Sequence, residues 1–332
     1  MLRGIKRLNR YENRILSITK AGGDLVRLRQ FGFSSKTKEG FRFPIYVMEI
    51  GKPKAIKKNP AGLVAGVHGL ETIGIRVLLD FLDHIFRKSG AEFLKEIKSG
   101  KLSIVCIPIL NPGGVALNSR SNPRGVDLMR NSGVEAIEAP PFFGGHRLTN
   151  RLPYYRGKTL EPESKVLFRF VKEYFFPVKD SMMPVIDIHS GYGTIDHVWW
   201  PYANTHVECE DDFLFHKISK HMIQKRNHTS YKFEPQSTSY TTHGDLWDRL
   251  YDNFLQIQEH KDSNTKHHPR FLPFTLEIGT WSDIKESPLK LLKKRGIFNP
   301  AKDNKQKFII SHRRFLEDMI RISQTKSKNW AE

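Results

Sequence analysis

The sequence predicts an α/β fold with a mostly parallel, mixed central sheet and helices on both faces. Short apolar runs typical of buried strands alternate with segments whose apolar residues recur at helical spacing. Several of these runs end in histidine, asparagine or glutamate. Because ligands bind outside the carboxyl ends of the strands in open α/β sheets, we expect the functional site at that edge.

The predicted elements follow one another without an internal repeat. The strands are expected at residues 43–50, 62–67, 102–110, 184–188 and 274–278. The helices are expected at residues 11–21, 73–86, 159–174, 213–223 and 308–323. A long loop, 111–157, and a polar insertion, 256–270, separate some of them. We expect one domain over residues 1–332, with a basic extension at 1–40 and a basic helical tail at 285–332.

The composition is that of an ordinary globular chain, but its charge is strongly positive. Apolar residues make up 39% and charged residues 27% of the sequence. The 54 Lys and Arg residues exceed the 35 Asp and Glu residues, and the net charge of +19 favours an anionic partner. The basic clusters lack interleaved aromatic residues, so no nucleic acid is expected.

Cysteine content and hydropathy indicate where in the cell the protein is expected. Two cysteines, Cys106 and Cys209, exclude a disulfide framework and a cysteine-rich zinc site. The basic N-terminus has no apolar segment behind it, as a signal peptide would, and no apolar stretch approaches transmembrane length. We therefore expect a cytoplasmic protein without a membrane span.

Residues that could bind a metal ion, or remove a proton from water bound to it, lie in or just after three of the predicted strands. His68 and Glu71 lie between a strand and a helix, where they can share one face. His189 follows the strand at 184–188. These three would supply two imidazoles and one carboxylate to a zinc ion and leave a position for water. Glu277, in the strand at 274–278, would remain free to take a proton from that water.

These residues resemble motifs of the zinc metallocarboxypeptidases of the carboxypeptidase A type, and in particular bacterial cytoplasmic members. The resemblance extends from about residue 46 to residue 281. The matching segments, in chain order, are His68-Gly69-Leu70-Glu71, Asn111-Pro112-Gly113-Gly114, Ser119-Arg120, Gly125 to Asn131, Leu160 to Ser164, Asp187 to Gly191 and Thr275-Leu276-Glu277. Their order and spacing imply the zinc carboxypeptidase fold.

The resemblance also implies roles for individual residues. One zinc ion would be held by His68, Glu71 and His189. Glu277 would act as the general base and then donate the proton to the leaving amine. Arg120 would stabilise the oxyanion, and Arg130 would bind the terminal carboxylate of the substrate.

The match is incomplete in the substrate-binding segments. A mobile tyrosine closes over the substrate in many members, and Tyr251 is the best match here, with Tyr240 in reserve. Met129 stands where the family usually has an asparagine before the carboxylate-binding arginine, and methionine cannot donate a hydrogen bond. Either another donor, Asn118 or Asn131, substitutes for it, or the end of the substrate is held differently.

The resulting functional prediction is zinc-dependent hydrolysis of a peptide or amide bond beside a free C-terminal carboxylate. The expected substrate is a peptide or an acylated amino acid of anionic character, such as a cell-wall-derived or acidic peptide. Met129 favours one alternative, an N-acyl amino acid deacylase of the aspartoacylase and succinylglutamate desuccinylase type. The other alternative is a basic, non-catalytic binding module on the same scaffold.

Overall fold

A computed structural model of the protein describes residues 2–259, 268–281, 297–299 and 305–325. Its strands are β1 Val26–Phe33, β2 Pro44–Ile50, β3 Pro60–Ala65, β4 Ser103–Ile107, β5 Met182–Ser190, β6 Asp196–Trp200, β7 Tyr231–Pro235 and β8 Arg270–Ile278. They form one sheet in the order β1-β2-β4-β3-β5-β8-β6-β7.

The sheet is mixed, with parallel strands at its centre. β4, β3, β5 and β8 pair in parallel, as do β6 and β7. The pairs β1–β2, β2–β4 and β6–β8 are antiparallel. Every residue of β3, β4 and β5 is buried, which explains their continuous apolar runs. The predicted α/β class with a mostly parallel mixed sheet is confirmed.

The described helices are α1 Leu2–Gly22, α2 Pro53–Lys58, α3 Thr72–Ile85, α4 Ala91–Ser99, α5 Pro112–Leu117, α6 Pro162–Tyr174, α7 Asp212–Gln224, α8 Gln236–Ser239, α9 Leu246–Glu259 and α10 Lys305–Arg321. None of these described helices has the length and apolar character needed to cross a membrane.

Two glycines show how the helices cover both faces of the sheet. Gly62 of β3 pairs with Val185 of β5, and a side chain at Gly62 would meet Val185 and Phe175, just after α6. A side chain at Gly74 of α3 would instead meet Ile188. Because successive residues of a strand point to opposite faces, Val185 and Ile188 lie on opposite sides of β5. α6 and α3 therefore approach the sheet from opposite faces.

Several elements differ in extent from the prediction. The strands β1, β6 and β7 were not predicted, and β8 begins at Arg270, within the expected insertion. The remainder of that insertion includes residues 260–267, which lie outside the described part of the chain. The N-terminal segment is more than an extension, because α1 buries apolar residues in the main core. Of the expected tail, residues 297–299 and 305–325 are described.

Candidate metal centre and active site

The first two candidate ligands lie in a turn between β3 and α3. β3 ends at Ala65, and Gly66 follows in the left-handed conformation with a φ of +67°. The N–H of Glu71 donates to the carbonyl of His68 at 3.1 Å, and α3 begins only at Thr72. The helix therefore starts after the pair, because the glycine-rich segment forms a turn first. The turn still holds both side chains on one side of the chain.

The third candidate ligand comes from the neighbouring parallel strand. His189 lies near the carboxyl end of β5, which pairs with β3. Ligand atoms of His68, Glu71 and His189 lie within 4.8 Å of one another, and all three residues are buried. Nδ1 of His189 is 3.1 Å from Oε2 of Glu71. The structure thus brings together the three predicted ligands from two separate parts of the chain.

These residues fit a zinc ion. Nδ1 of His68 is buried, and no hydrogen-bond partner for it exists among the described residues. A buried imidazole nitrogen without a partner is unfavourable unless something binds it. Two imidazoles and one carboxylate are ligand types of zinc, and three protein ligands leave a position open.

Asp187 and Trp247 orient the His189 ring. Nε2 of His189 lies 3.0 Å from Oδ2 of Asp187, and the indole N–H of Trp247 donates to the same oxygen at 2.8 Å. Asp187 holds the proton on Nε2, and a proton on Nδ1 can be donated to Glu71. When the Nδ1 proton leaves, its lone pair is free for a metal ion while Nε2–H stays bonded to Asp187.

The electrostatic environment differs between the two histidines. Burial, reinforced by Arg120, lowers the pKa of His68 to about 3, so its ring stays neutral. Burial also opposes charge on His189, but Asp187 and Glu71 outweigh it and raise the pKa of His189 well above its usual value. Burial alone would raise the pKa of Glu71, whereas His68 and His189 hold it below its usual range. Glu71 is therefore an anion between a neutral His68 ring and a His189 ring that favours its protonated form.

Glu277 lies beside this cluster, on the next strand. It pairs in register with His189, and its Oε1 accepts the N–H of Tyr192 at 3.0 Å. Burial and the negative charge of Glu71 raise the pKa of Glu277 to about 8. Glu277 lines a cavity of about 190 Å³ that is also lined by His68, Glu71 and His189. A basic carboxylate thus shares a cavity with the candidate metal ligands.

Arg120 is fixed by two carboxylates. Its Nε donates to Oδ2 of Asp127 at 2.9 Å, and its Nη1 donates to Oε1 of Glu71 at 3.1 Å. Asp127 is fully buried, and burial alone would raise its pKa, but Arg120 lowers it well below its usual range. The sequence motif included Asp127 without assigning it a role. The structure shows that Asp127 positions Arg120.

Arg130 and Met129 line the same cavity. Nη1 and Nη2 of Arg130 donate to the carbonyls of Met129 and Phe143 at 3.2 and 3.3 Å. Its guanidinium also lies 5.9 Å from the ring centres of Phe143 and Tyr154. Within the described residues, Nε has no hydrogen-bond partner and no carboxylate forms an ion pair with the guanidinium. Arg130 is thus a buried cation to which no described carboxylate binds through a hydrogen bond or ion pair, although its charge helps to lower the pKa of Asp127 and opposes the rise that burial causes in the pKa of Asp245.

The two asparagines expected to substitute at position 129 are engaged elsewhere. Asn118 ends α5 in the left-handed conformation, and its side-chain oxygen accepts from Arg7 at 3.1 Å. The amide of Asn131 donates to the carbonyls of Arg156 and Thr159, both at 2.9 Å. Neither asparagine lines the cavity that Arg130 shares with the candidate metal ligands, so the geometry does not support either as the missing donor.

The structure places the two candidate tyrosines in different environments. Tyr251 is fully buried in α9, where its hydroxyl donates to Oδ2 of Asp211 at 2.9 Å and accepts the N–H of Asp211 at 3.0 Å. Its hydroxyl is thus held in the core. Tyr240, the reserve candidate, lines the cavity and contacts the rings of Tyr192 and Trp199. Tyr240 lies in the segment before α9, and this segment forms part of the cavity wall. The geometry therefore favours Tyr240 over Tyr251.

Metal-free protein should take up one equivalent of zinc and become more stable. A ligand that binds only the folded state stabilises it by about 2.7 kcal/mol when its concentration is 100 times the Kd. Titration calorimetry and thermal unfolding would measure both effects. His68→Gln should abolish them, whereas His228→Gln should not, because His228 is a buried histidine bound to Asp318 elsewhere in the protein. Equal uptake by both variants would contradict the assigned centre.

Several solved structures share the fold of this chain. Bovine thrombin-activatable fibrinolysis inhibitor, in complex with tick carboxypeptidase inhibitor, is 19% identical, with a TM-score of 0.65 over 94% of this chain and 95% of that chain. Carboxypeptidase A from Helicoverpa armigera is 16% identical, with a TM-score of 0.65 over 94% and 71%. A metallo-carboxypeptidase from Burkholderia cenocepacia is 15% identical, with a TM-score of 0.52 over 81% and 59%. At these identities the likeness shows a shared fold.

A sequence comparison shows the family. No curated protein matches the chain. The family described as zinc carboxypeptidase, in contrast, matches residues 13–302, which is most of the chain. The family relationship suggested by the sequence motifs is thereby confirmed. The protein belongs to the zinc carboxypeptidase family and is a zinc hydrolase.

Proposed function

We propose that this enzyme is a metallocarboxypeptidase, which hydrolyses the amide bond before a terminal residue with a free carboxylate. The observation that carries the proposal is the state of Arg130. It is 3% exposed, it lines the same cavity as the metal centre, and no described carboxylate forms a hydrogen bond or ion pair with it. A buried guanidinium is stable when an anion pairs with it, and its planar donors match a carboxylate. The terminal carboxylate of a peptide provides that anion.

Binding at Arg130 would direct the adjacent amide bond toward the metal centre. Zinc held by His68, Glu71 and His189 would supply a Lewis acid that polarises the carbonyl and acidifies water. Glu277 would take a proton from the attacking water onto a carboxylate oxygen. As the C–N bond breaks, the same residue would return that proton to the amine nitrogen.

Arg120 would stabilise the oxyanion that forms on the carbonyl oxygen. Its Nε and Nη1 are committed to Asp127 and Glu71, so its Nη2 is the donor left for the substrate. Because these two carboxylates fix the guanidinium beforehand, little reorganisation is needed as the negative charge develops.

Tyr240 and Met129 would complete the wall beside Arg130. Burial raises the pKa of Tyr240, so its phenol stays protonated and remains a hydrogen-bond donor. Met129 contributes apolar surface only. We therefore assign the role of the closing tyrosine to Tyr240, and we assign Met129 to apolar contact with the terminal residue.

The presence of Met129 also favours a second candidate, an N-acyl amino acid deacylase. Such an enzyme would use the same metal centre and Glu277, but it would bind a small acylated amino acid. A non-catalytic binding module agrees less well with the site. Binding alone would not require the carboxylate of Glu277 to lie in the same cavity as three candidate metal ligands.

The physiological substrate and location belong to the same proposal. A net charge of +19 would attract anionic peptides, including acidic and cell-wall-derived ones, through the long-range field. The terminal carboxylate is the anionic group that Arg130 would bind directly. Both cysteines are buried and free, which agrees with a reducing, cytoplasmic compartment.

A substrate panel should separate these functions. Zinc-loaded enzyme should hydrolyse a benzoylglycyl dipeptide with a free carboxylate roughly 10²-fold faster, by kcat/KM, than its amide. It should also prefer that dipeptide to N-acetyl amino acids. Faster hydrolysis of the N-acetyl amino acids would establish the deacylase instead. If none of these compounds were hydrolysed and no zinc were bound, the binding module would be favoured.

A further inference from the structure

Residues 297–299 contact the ends of the three strands around the candidate metal centre. The hydroxyl of Thr280, just after β8, donates to the carbonyl of Ile297. The hydroxyl of Ser190, the last residue of β5, donates to the carbonyl of Phe298 at 2.8 Å. The side chain of the third residue contacts the turn between β3 and α3. This short segment therefore joins three parts of the site that are distant in sequence.

The third residue, Asn299, uses both ends of its side-chain amide around Glu71. Its Nδ2 donates to the carbonyl of Leu70 at 2.9 Å, and its Oδ1 accepts the hydroxyl of Thr72 at 2.8 Å. A reversed amide would place its oxygen against the carbonyl of Leu70, so these contacts determine its orientation. One side chain thus binds both neighbours of a candidate metal ligand.

The two bonds of Asn299 enclose a tight turn centred on Glu71. The N–H of Thr72 donates to the carbonyl of Leu70 at 2.9 Å, and Glu71 between them has a φ of −83° and a ψ of 60°. These angles are those of an inverse γ-turn, which a single backbone hydrogen bond closes. Asn299 adds two bonds across the same turn. The direction in which the Glu71 side chain leaves the backbone is therefore fixed from outside the turn.

The same segment also supports the carboxylate end of Glu71. Oε2 of Glu71 accepts the N–H of Ser190 at 3.1 Å, and the hydroxyl of Ser190 is the one bound by Phe298. A Cβ at Gly191 would lie 2.5 Å from the ring of Phe298, so the segment packs directly on the chain after the third ligand, His189. Ligands have to be held within about 0.5 Å of their working geometry, and such supporting contacts do so.

We propose that Asn299 is a positioning residue of the metal centre, which strengthens zinc binding by holding the turn around Glu71. The inference depends on the assigned centre and goes beyond the proposed substrate class, since a carboxypeptidase and a deacylase would need the same centre. Asn299 comes from the part of the chain that the sequence predicts as a basic helical tail. A segment expected to be peripheral thus supports the active centre.

Loss of the Asn299 amide should weaken zinc binding. Asn299→Ala should raise the zinc Kd roughly 10- to 100-fold, the usual loss when a group that holds a metal ligand in place is removed. Competition with a chromophoric chelator, starting from metal-free protein, would measure the Kd. The visible absorption of the cobalt(II)-substituted protein should also change, because it depends on the geometry of the ligands. A purely structural role would lower thermal stability and leave that spectrum as it is.

Two variants of Thr72 test the same contact from the other side. Thr72→Val keeps the shape of the side chain but removes the hydroxyl that donates to Asn299, so the zinc Kd should again rise. Thr72→Ser keeps the hydroxyl and should bind zinc nearly as tightly as wild type. These two variants decide the question even if Asn299→Ala does not fold. Equal zinc affinity of Thr72→Val and Thr72→Ser would contradict the proposal.

Asn59→Ala is the control. Asn59 is also partly buried, and its amide donates to the carbonyl of Lys101 at 2.8 Å, at the opposite end of β3 from the metal-binding turn. This variant should keep the wild-type zinc Kd and cobalt spectrum even if its thermal stability falls. An unchanged Kd and spectrum in Asn299→Ala, or an equal rise in Kd in Asn59→Ala, would overturn the role of Asn299. If wild type bound zinc but hydrolysed no peptide, the carboxypeptidase proposal would fail, and the zinc Kd would still decide about Asn299.

Discussion

Replacing Glu277 with glutamine should lower kcat by roughly 10²–10⁴-fold, the usual span for a general base, while the protein keeps its zinc. The amide preserves the size of the side chain and can still accept the N–H of Tyr192, but it cannot take a proton from water. The cluster of His68, Glu71 and His189 would remain intact. Steady-state kinetics and elemental analysis of the purified variant would measure the two quantities.

The same substitution at a neighbouring glutamate provides the control. Glu234 on β7 is also buried, and its carboxylate binds His197 at 3.0 Å, so Glu234→Gln should change kcat little. The pH profile gives a further readout. Because a general base must be ionised, wild-type kcat/KM should fall as the solution becomes acidic enough to protonate Glu277, and this acidic limb should be absent in Glu277→Gln. Zinc loss from Glu277→Gln would contradict the assignment.

The central strands and the metal cluster were accessible from the sequence for one physical reason. β3 and β5 are buried on both faces, so each reads as an uninterrupted apolar run, and a polar residue at its end is conspicuous. Parallel neighbours bring such ends to one edge of the sheet, which is why His68 and His189 could be predicted to meet.

Other elements could not be predicted because local sequence does not determine their environment. β6 and β7 are five residues long and contain charged or histidine side chains, so neither shows a clear apolar run. Tyr251 and Tyr240 are both near the start of α9, and only the packing shows which ring enters the cavity.

Arg130→Ala should lower kcat/KM for peptides with a free terminal carboxylate by roughly 10²–10³-fold, the range expected when one partner of a buried charge pair is removed. The loss should arise mainly from KM, since the guanidinium would hold the carboxylate equally in the bound substrate and in the transition state. The amide of the same peptide has no carboxylate to lose, so its slower hydrolysis should change little. The ratio of kcat/KM between the two substrates measures the effect.

A variant of a second buried arginine, Arg156, is the control. It separates the loss of carboxylate binding from a general loss of structure around Arg130. Arg156 is buried to a similar degree, but Glu135 binds its guanidinium through two hydrogen bonds of 2.7 and 2.8 Å. Arg156→Ala should therefore alter stability without changing the preference for a free carboxylate. If Arg130→Ala slowed both substrates equally, Arg130 would be a structural residue, and the terminal carboxylate would have to bind elsewhere. A loss that is selective for the free acid would instead show that the buried guanidinium of Arg130 determines exopeptidase specificity.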